Sequence, residues 1–159
     1  AIAMKLDNTE LQTAVNGALK ELKADGTLDA IATDHAPHAF EEKDREYRFA
    51  PSGFAGLETA LGVVLTALYH TGKVGLSEII ASFTVNPARI LGIDSGALAV
   101  GKDADITIID PDYSWTVDSS AFYTRGKYTP FEGKQLQGKA VGTIVKGKQV
   151  MVNGVVVSV

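Results

Sequence analysis

The sequence predicts an α/β fold in two parts, a helical segment over residues 1–92 and a β segment over residues 93–159. Three observations carry that expectation. "NTELQTAVNGALKELKADG" places Leu11, Val15, Ala18, Leu19 and Leu22 at helical spacing before a stop at Gly26, and the short apolar run "TLDAIAT" follows it. A helix, a glycine turn and a buried strand ending in polar residues form the α-to-β step of an α/β fold. Past Gly92 the texture changes to alternating, β-branched runs with tight turns.

The elements follow in order. Residues 29–33 are expected to form a buried strand that ends at Asp34. Residues 39–56, "AFEEKDREYRFAPSGFAG", read as a long charged loop, a length that in compact domains goes with function or mobility. "LETALGVVLTALYHTGK" predicts a buried helix from Leu57 to His70, apolar around most of its circumference. "LSEIIASF" is a second helix with Ser77 as its expected N-cap. "NPARILG" is a third, with Asn86 as cap, Pro87 in the first turn and Gly92 at the exit. "ADITIID" and "YSWTV" read as strands, with Trp115 in the β core. "AVGTIVKGKQVMVNGVVVSV" supplies two or three more, and Asn153-Gly154 signals a type I′ hairpin.

Composition excludes several functions. The 159 residues are 45% apolar and 21% charged, as in a globular protein. A net charge of −4 gives no support for nucleic acid or an anionic membrane surface as partner. With no cysteine, disulfides and thiolate metal sites are excluded. No apolar run approaches the roughly 20 residues of a membrane span. The first residues lack the pattern of a signal peptide, so the expected location is the cytoplasm.

The chain has three histidines, and two of them fall in "ATDHAPH", residues 32–38. An acid at the C-terminal end of a buried strand is where α/β sheets and barrels put chemistry. Asp34 can ligate a metal, take a proton, or do both, and His35 and His38 can ligate zinc or bind an anion. An equally simple reading has Asp34 capping a turn and the histidines half-exposed in a polar loop. A complete local zinc site fails on counting, because three close residues on a loop stiffened by Pro37 do not converge as three ligands. His70 reads as a helix C-terminal histidine favoured by the helix dipole. Arg45 and Arg48 have the reach to meet an anion, and "PSGFAG" offers backbone groups for close approach of a ligand, or is an ordinary turn. "GKDADITIID" lacks the spacing of a phosphate loop.

Taken together, "IATDHAPH", "FEEK", "PSGFAGLETALGVVLTAL", "NPARILG", "GALAVGKDADITIIDPDYSWTVD" and "KYTPFEGKQLQGKAVGTIVKGKQV" resemble, from about Asp25 onward, the C-terminal part of dihydroorotases of the amidohydrolase superfamily. The resemblance implies a metal-dependent (β/α)₈ TIM-type barrel, with 29–33 as its last strand and the helices to residue 92 closing it. Residues 93–159 would then be part of a small β-sandwich domain. It implies a zinc enzyme with one or two ions that interconverts N-carbamoyl-L-aspartate and dihydroorotate in pyrimidine synthesis. Asp34 would touch metal and shuttle a proton, His38 would contact the substrate carboxylate, and Pro51 and Gly53 would bind the ring through their backbone. The His-x-His pair, bridging lysine and other ligands of such enzymes have no counterpart in these residues. The expectation is therefore a segment that works with an N-terminal segment and is inactive alone. Related hydantoinases and dihydropyrimidinases offer a second substrate class. A non-catalytic homologue that scaffolds aspartate transcarbamoylase offers a third role. The apolar surfaces of an incomplete barrel imply a homo-oligomer or pairing with the absent segment.

Overall fold

A computed structural model describes residues 29–157. The helix expected at residues 8–26 lies outside the described residues. The elements are α1 (Phe40–Lys43), α2 (Ala60–Val64), α3 (Leu76–Phe83), α4 (Val85–Leu91), β1 (Ile106–Thr116), β2 (Gln135–Val145), β3 (Lys148–Val152) and β4 (Val155–Val156). The strands form one antiparallel sheet in the order β1-β2-β3-β4. Among the described residues the β half is thus a single layer, where two were expected. The division of the chain near Gly92 does follow the change from helices to sheet.

The expected helix 57–70 is shorter and changes pitch. A turn over Leu57–Thr59 precedes α2, and Leu65–Tyr69 continue it as a π turn, with His70 N–H donating to the Leu65 carbonyl at 3.0 Å. Its face toward the sheet is small. A Cβ on Gly62 would come within 3.1 Å of the Gly138 carbonyl and of the Trp115 ring, so the helix backbone lies close against β2. Gly138 is held at φ +95°, and a Cβ there would sit 2.3 Å from Leu65 Cδ1, a side chain with no exposed surface. Helix and strand are also stitched by polar bonds. Gln137 N–H donates to Thr66 Oγ1 at 2.8 Å, and His70 Nε2 donates to the Pro111 carbonyl at 2.8 Å. His70 is thereby a bolt between the helix and β1, a more specific role than a dipole contact. The apolar core beside this seam is Ala55, Val117, Phe122 and Leu136, with Val63, Trp115 and Phe131 packed on it. Trp115 joins the core as expected, and its indole N–H donates to the Gly138 carbonyl at 3.1 Å.

Two expected caps are displaced by competing partners. α3 begins one residue before Ser77, and the Glu78 carboxylate reaches back to accept from Gly75 N–H at 2.9 Å. α4 begins at Val85, and the Asn86 amide donates instead to the Asp29 carbonyl at 2.8 Å. Its exit is as expected. Gly92 adopts φ +68°, and the Gly92 and Ile93 N–H groups donate to Arg89 and Ala88 in a Schellman arrangement. The Asn153-Gly154 hairpin also forms, with φ +49° and +77° between paired Val152 and Val155. Lys146-Gly147 makes an equivalent turn that the sequence did not announce. "ADITIID" and "YSWTV" merge into β1, which carries an irregularity between Asp110 and Ser114.

Residues 29–33 do not form a strand among the described residues. A strand exists only through a ladder neighbour, and here the backbone binds helices instead. Ile31 N–H donates to the Ser82 carbonyl at 3.0 Å, and Arg89 pairs with the Asp29 carboxylate at 3.3 Å. Nor is the segment buried throughout: Ala30, Ala32 and Asp34 are exposed.

Candidate active site

The site is built from the two segments that follow residue 33. Asp34 takes φ +44°, a left-handed conformation uncommon outside glycine that a short polar side chain tolerates. Its carboxylate is exposed and meets no hydrogen-bond donor among the described residues. The chain then pairs with the loop 51–57. His35 and Phe54 form an isolated parallel bridge, and Ala36 N–H donates to the Phe54 carbonyl at 3.1 Å. His35 Nδ1 accepts from Gly56 and Leu57 N–H at 3.2 and 3.0 Å, which fixes the neutral ring's proton on Nε2. His35, given no definite part by the sequence, is the pin between the two segments.

His38 completes the join. Its Nε2 lies 2.8 Å from the Ser52 carbonyl and therefore donates to it, and its Nδ1 lies 3.5 Å from Glu42 Oε2. Lys43, in the last turn of α1, donates to the carbonyls of Pro51 at 2.8 Å and Gly53 at 3.0 Å. Its ammonium also sits 4.5 Å over the Tyr128 ring, a cation–π distance. Gly53 is required where it stands. At φ +117° it packs so closely that a Cβ would be 2.5 Å from the Ala36 carbonyl and 3.1 Å from His38 Nε2.

The β half backs this unit. Ala55 N–H donates to the Tyr128 carbonyl at 2.9 Å, and Gly126 packs on the Pro37–His38 backbone. Glu58 anchors the same connection. It accepts from Tyr123 N–H and Thr124 N–H, both at 2.9 Å, and from the Thr124 hydroxyl at 2.6 Å. Partial burial alone would raise the Glu58 carboxyl. The bonds from Thr124 and Tyr123, with the nearby Lys127 ammonium, outweigh that and hold it below the usual carboxylate range.

Among the sequence-chosen residues, the structure brings His38, Pro51 and Gly53 into contact and leaves Asp34 open at the start of the same turn. Arg45 and Arg48 are exposed and make no ion pair among the described residues. His70 belongs to the helix–sheet seam. Lys43, Glu58 and Tyr128 are the functional neighbours that sequence reasoning passed over, because each acts on backbone or rings distant in sequence.

Among the described residues no three His, Asp or Glu side chains gather as a metal site. His35 Nδ1 and both nitrogens of His38 are engaged within the chain. The donor chemistry fits one oxygen ligand, Asp34, and the rest of a site of about three protein ligands has to come from other residues.

Comparison with known proteins agrees with this geometry. A model of the amidohydrolase family matches residues 5–150. A dihydroorotase of Pelotomaculum thermopropionicum is 52% identical over 139 residues, 87% of this chain and 33% of that protein. A dihydroorotase of Syntrophus aciditrophicus is 50% identical over 131 residues, 82% of this chain and 30% of that protein. Among solved structures, an L-hydantoinase (dihydropyrimidinase) from Arthrobacter aurescens is 35% identical with a TM-score of 0.82, over 89% of this chain and 33% of that one. The chain spans about a third of the length of the curated relatives it matches. Its α/β architecture is accordingly a portion of a TIM-type amidohydrolase fold. By the family match along nearly its whole length, the chain belongs to the amidohydrolase family.

Proposed function

We propose that this chain contributes one wall of the active site of a dihydroorotase, which closes N-carbamoyl-L-aspartate reversibly to dihydroorotate. The observation that carries this reading is the interlock of residues 34–38 with 51–57, which gathers Asp34, His38, Pro51 and Gly53 in one unit. The half-identical dihydroorotases support it. In this reading residues 1–92 are the closing part of the barrel and 93–159 part of the small β-domain.

Each residue has a task in the hydrolytic direction. The Asp34 carboxylate takes a proton from the attacking water and passes it to the leaving ring nitrogen. His38 holds the substrate carboxylate, which competes with the Ser52 carbonyl for the Nε2 proton. The Pro51 carbonyl accepts from the ring with the lone pair that Lys43 leaves, and Gly53 N–H donates to a ring carbonyl. The metal proposed is zinc, one or two ions, with Asp34 as one ligand. When bound, it would lower the pKa of a water and polarise the amide carbonyl. The acidic charge and lack of cysteine fit the cytoplasm. A homo-oligomer and docking on aspartate transcarbamoylase extend the reading, and light scattering with and without the transcarbamoylase tests both.

The hydantoinase neighbour supports a second reading, a cyclic amidohydrolase of hydantoins or dihydropyrimidines. One experiment separates them. The full-length, zinc-loaded protein is assayed with dihydroorotate, hydantoin and dihydrouracil, alongside the 159-residue chain alone. Turnover of dihydroorotate by the full-length protein only, at about 1 s⁻¹ or more, is expected. Preference for a neutral ring, or normal turnover by the isolated chain, overturns the proposal.

A further inference from the structure

Lys43 has no part in the chemistry described above, yet its ammonium meets the loop that carries Pro51 and Gly53. The carbonyls of Pro51, Ser52, Gly53 and Phe54 are all engaged from one side, accepting in turn from Lys43, His38, Lys43 and Ala36. Among the described residues, the Ser52 and Gly53 N–H groups donate to nothing. The ammonium thus fixes the orientation of the Pro51–Ser52 and Gly53–Phe54 peptides, and so decides which backbone groups stay open to a ligand. A positive charge on those carbonyls also makes its hydrogen bonds stronger than neutral ones. Tyr128, from the far end of the chain, covers the ammonium at 4.5 Å and keeps it on the loop. With Gly53 at φ +117°, the loop has a backbone that would relax without such a restraint.

We propose that Lys43 is a positioning residue for substrate binding. Its ammonium holds residues 51–53 so that the Ser52 and Gly53 N–H groups face the carbonyl or carboxylate oxygens of an acidic cyclic imide. The proposal rests on the dihydroorotase reading for its substrate, but its structural half stands apart from it.

The test uses the full-length protein with Lys43→Met, which keeps the stem and removes the charge, and Lys43→Arg, which keeps charge and donors. Lys43→Met is expected to raise KM for dihydroorotate about tenfold or more while kcat falls less than about threefold, because contacts shared by bound substrate and transition state read out in KM. Lys43→Arg is expected to recover most of that loss. A Met variant with KM within about twofold of the parent overturns the proposal. Hydrogen exchange supplies a readout that needs no turnover. The Ala36, Ala55 and Gly56 amides, which bond across this loop, are expected to exchange about tenfold faster in Lys43→Met, with the α3 amides unchanged. Unchanged exchange at those amides also overturns it. Should Lys43→Met fail to fold, Lys43→Arg decides alone: a KM raised about threefold supports the role, and a KM equal to the parent's refutes it. A parent protein inactive on dihydroorotate refutes the proposed function instead, and leaves the exchange experiment to judge Lys43.

Discussion

Replacing Gly138 with alanine tests the seam between α2 and the sheet. Two costs combine. The backbone at φ +95° disfavours any residue with a Cβ, at about 1–2 kcal/mol. The new methyl would lie 2.3 Å from Leu65 Cδ1 and 3.0 Å from Leu65 Cβ, in a place with no free volume, and overpacking of that kind costs about 1–3 kcal/mol. The sum is roughly 2–5 kcal/mol, a large share of an ordinary domain's stability. Urea unfolding of the full-length protein measures it as a lower midpoint at unchanged slope. The steric share can be isolated. Leu65→Ala alone should cost about 2–5 kcal/mol through its cavity, but it also makes room for the methyl. The double variant is therefore expected to lose about 1–3 kcal/mol less than the sum of the singles. Additivity within about 0.5 kcal/mol, or a Gly138→Ala loss smaller than that, would refute close packing at this seam.

Three further outcomes are expected. Asp34→Asn in the full-length, zinc-loaded enzyme should lower kcat by about 10²–10⁴ while part of the metal is retained, since the amide keeps an oxygen ligand but cannot take a proton; steady-state assay with metal analysis checks this. His38→Ala should lower kcat/KM for dihydroorotate by about 30- to 700-fold, the equivalent of ~2–4 kcal/mol for an unpaired carboxylate, with a smaller effect on a neutral ring, and equal losses on both substrates would contradict its role. Glu58 has a lowered folded-state pKa, so its contribution is present above its ordinary value of 4.5 and is lost as pH falls through the lowered one. Glu58→Gln should cost about 1 kcal/mol at pH 7 after allowance for solvent screening, and the gap to wild type in urea midpoints should narrow in acid; a gap that widens there contradicts the sign.

Legibility in the sequence tracked the range of the deciding interaction. Gly92 and Asn153-Gly154 were readable because backbone conformation at a turn is set by the residue itself. Lys146 adopts the same left-handed region only because Gly147 and the paired ends of β2 and β3 impose it. Ser77 and Asn86 are sound cap residues by type. The actual choice depended on a carboxylate three residues past Gly75 and on the Asp29 carbonyl far upstream in the chain. Asp34 and His38 stood out by chemistry. That His38 would rest on Ser52, and Lys43 on Pro51 and Gly53, depended on a loop closing back on its own start. The strand at 29–33 needed a neighbour that the described residues do not supply.

The π turn at Leu65–Tyr69 has a consequence for insertions and deletions. A π turn is an α turn carrying one additional residue. Upstream of it, Gly62 and Leu65 are keyed to Gly138 of β2; at its end, His70 is keyed to Pro111 of β1. Loss of one residue here would restore ordinary pitch and swing everything after it by about 100° around the helix axis. His70 would then leave Pro111 while Leu65 stayed seated. The surplus residue acts as a vernier, letting one helix hold register with two strands whose spacing does not match its own period.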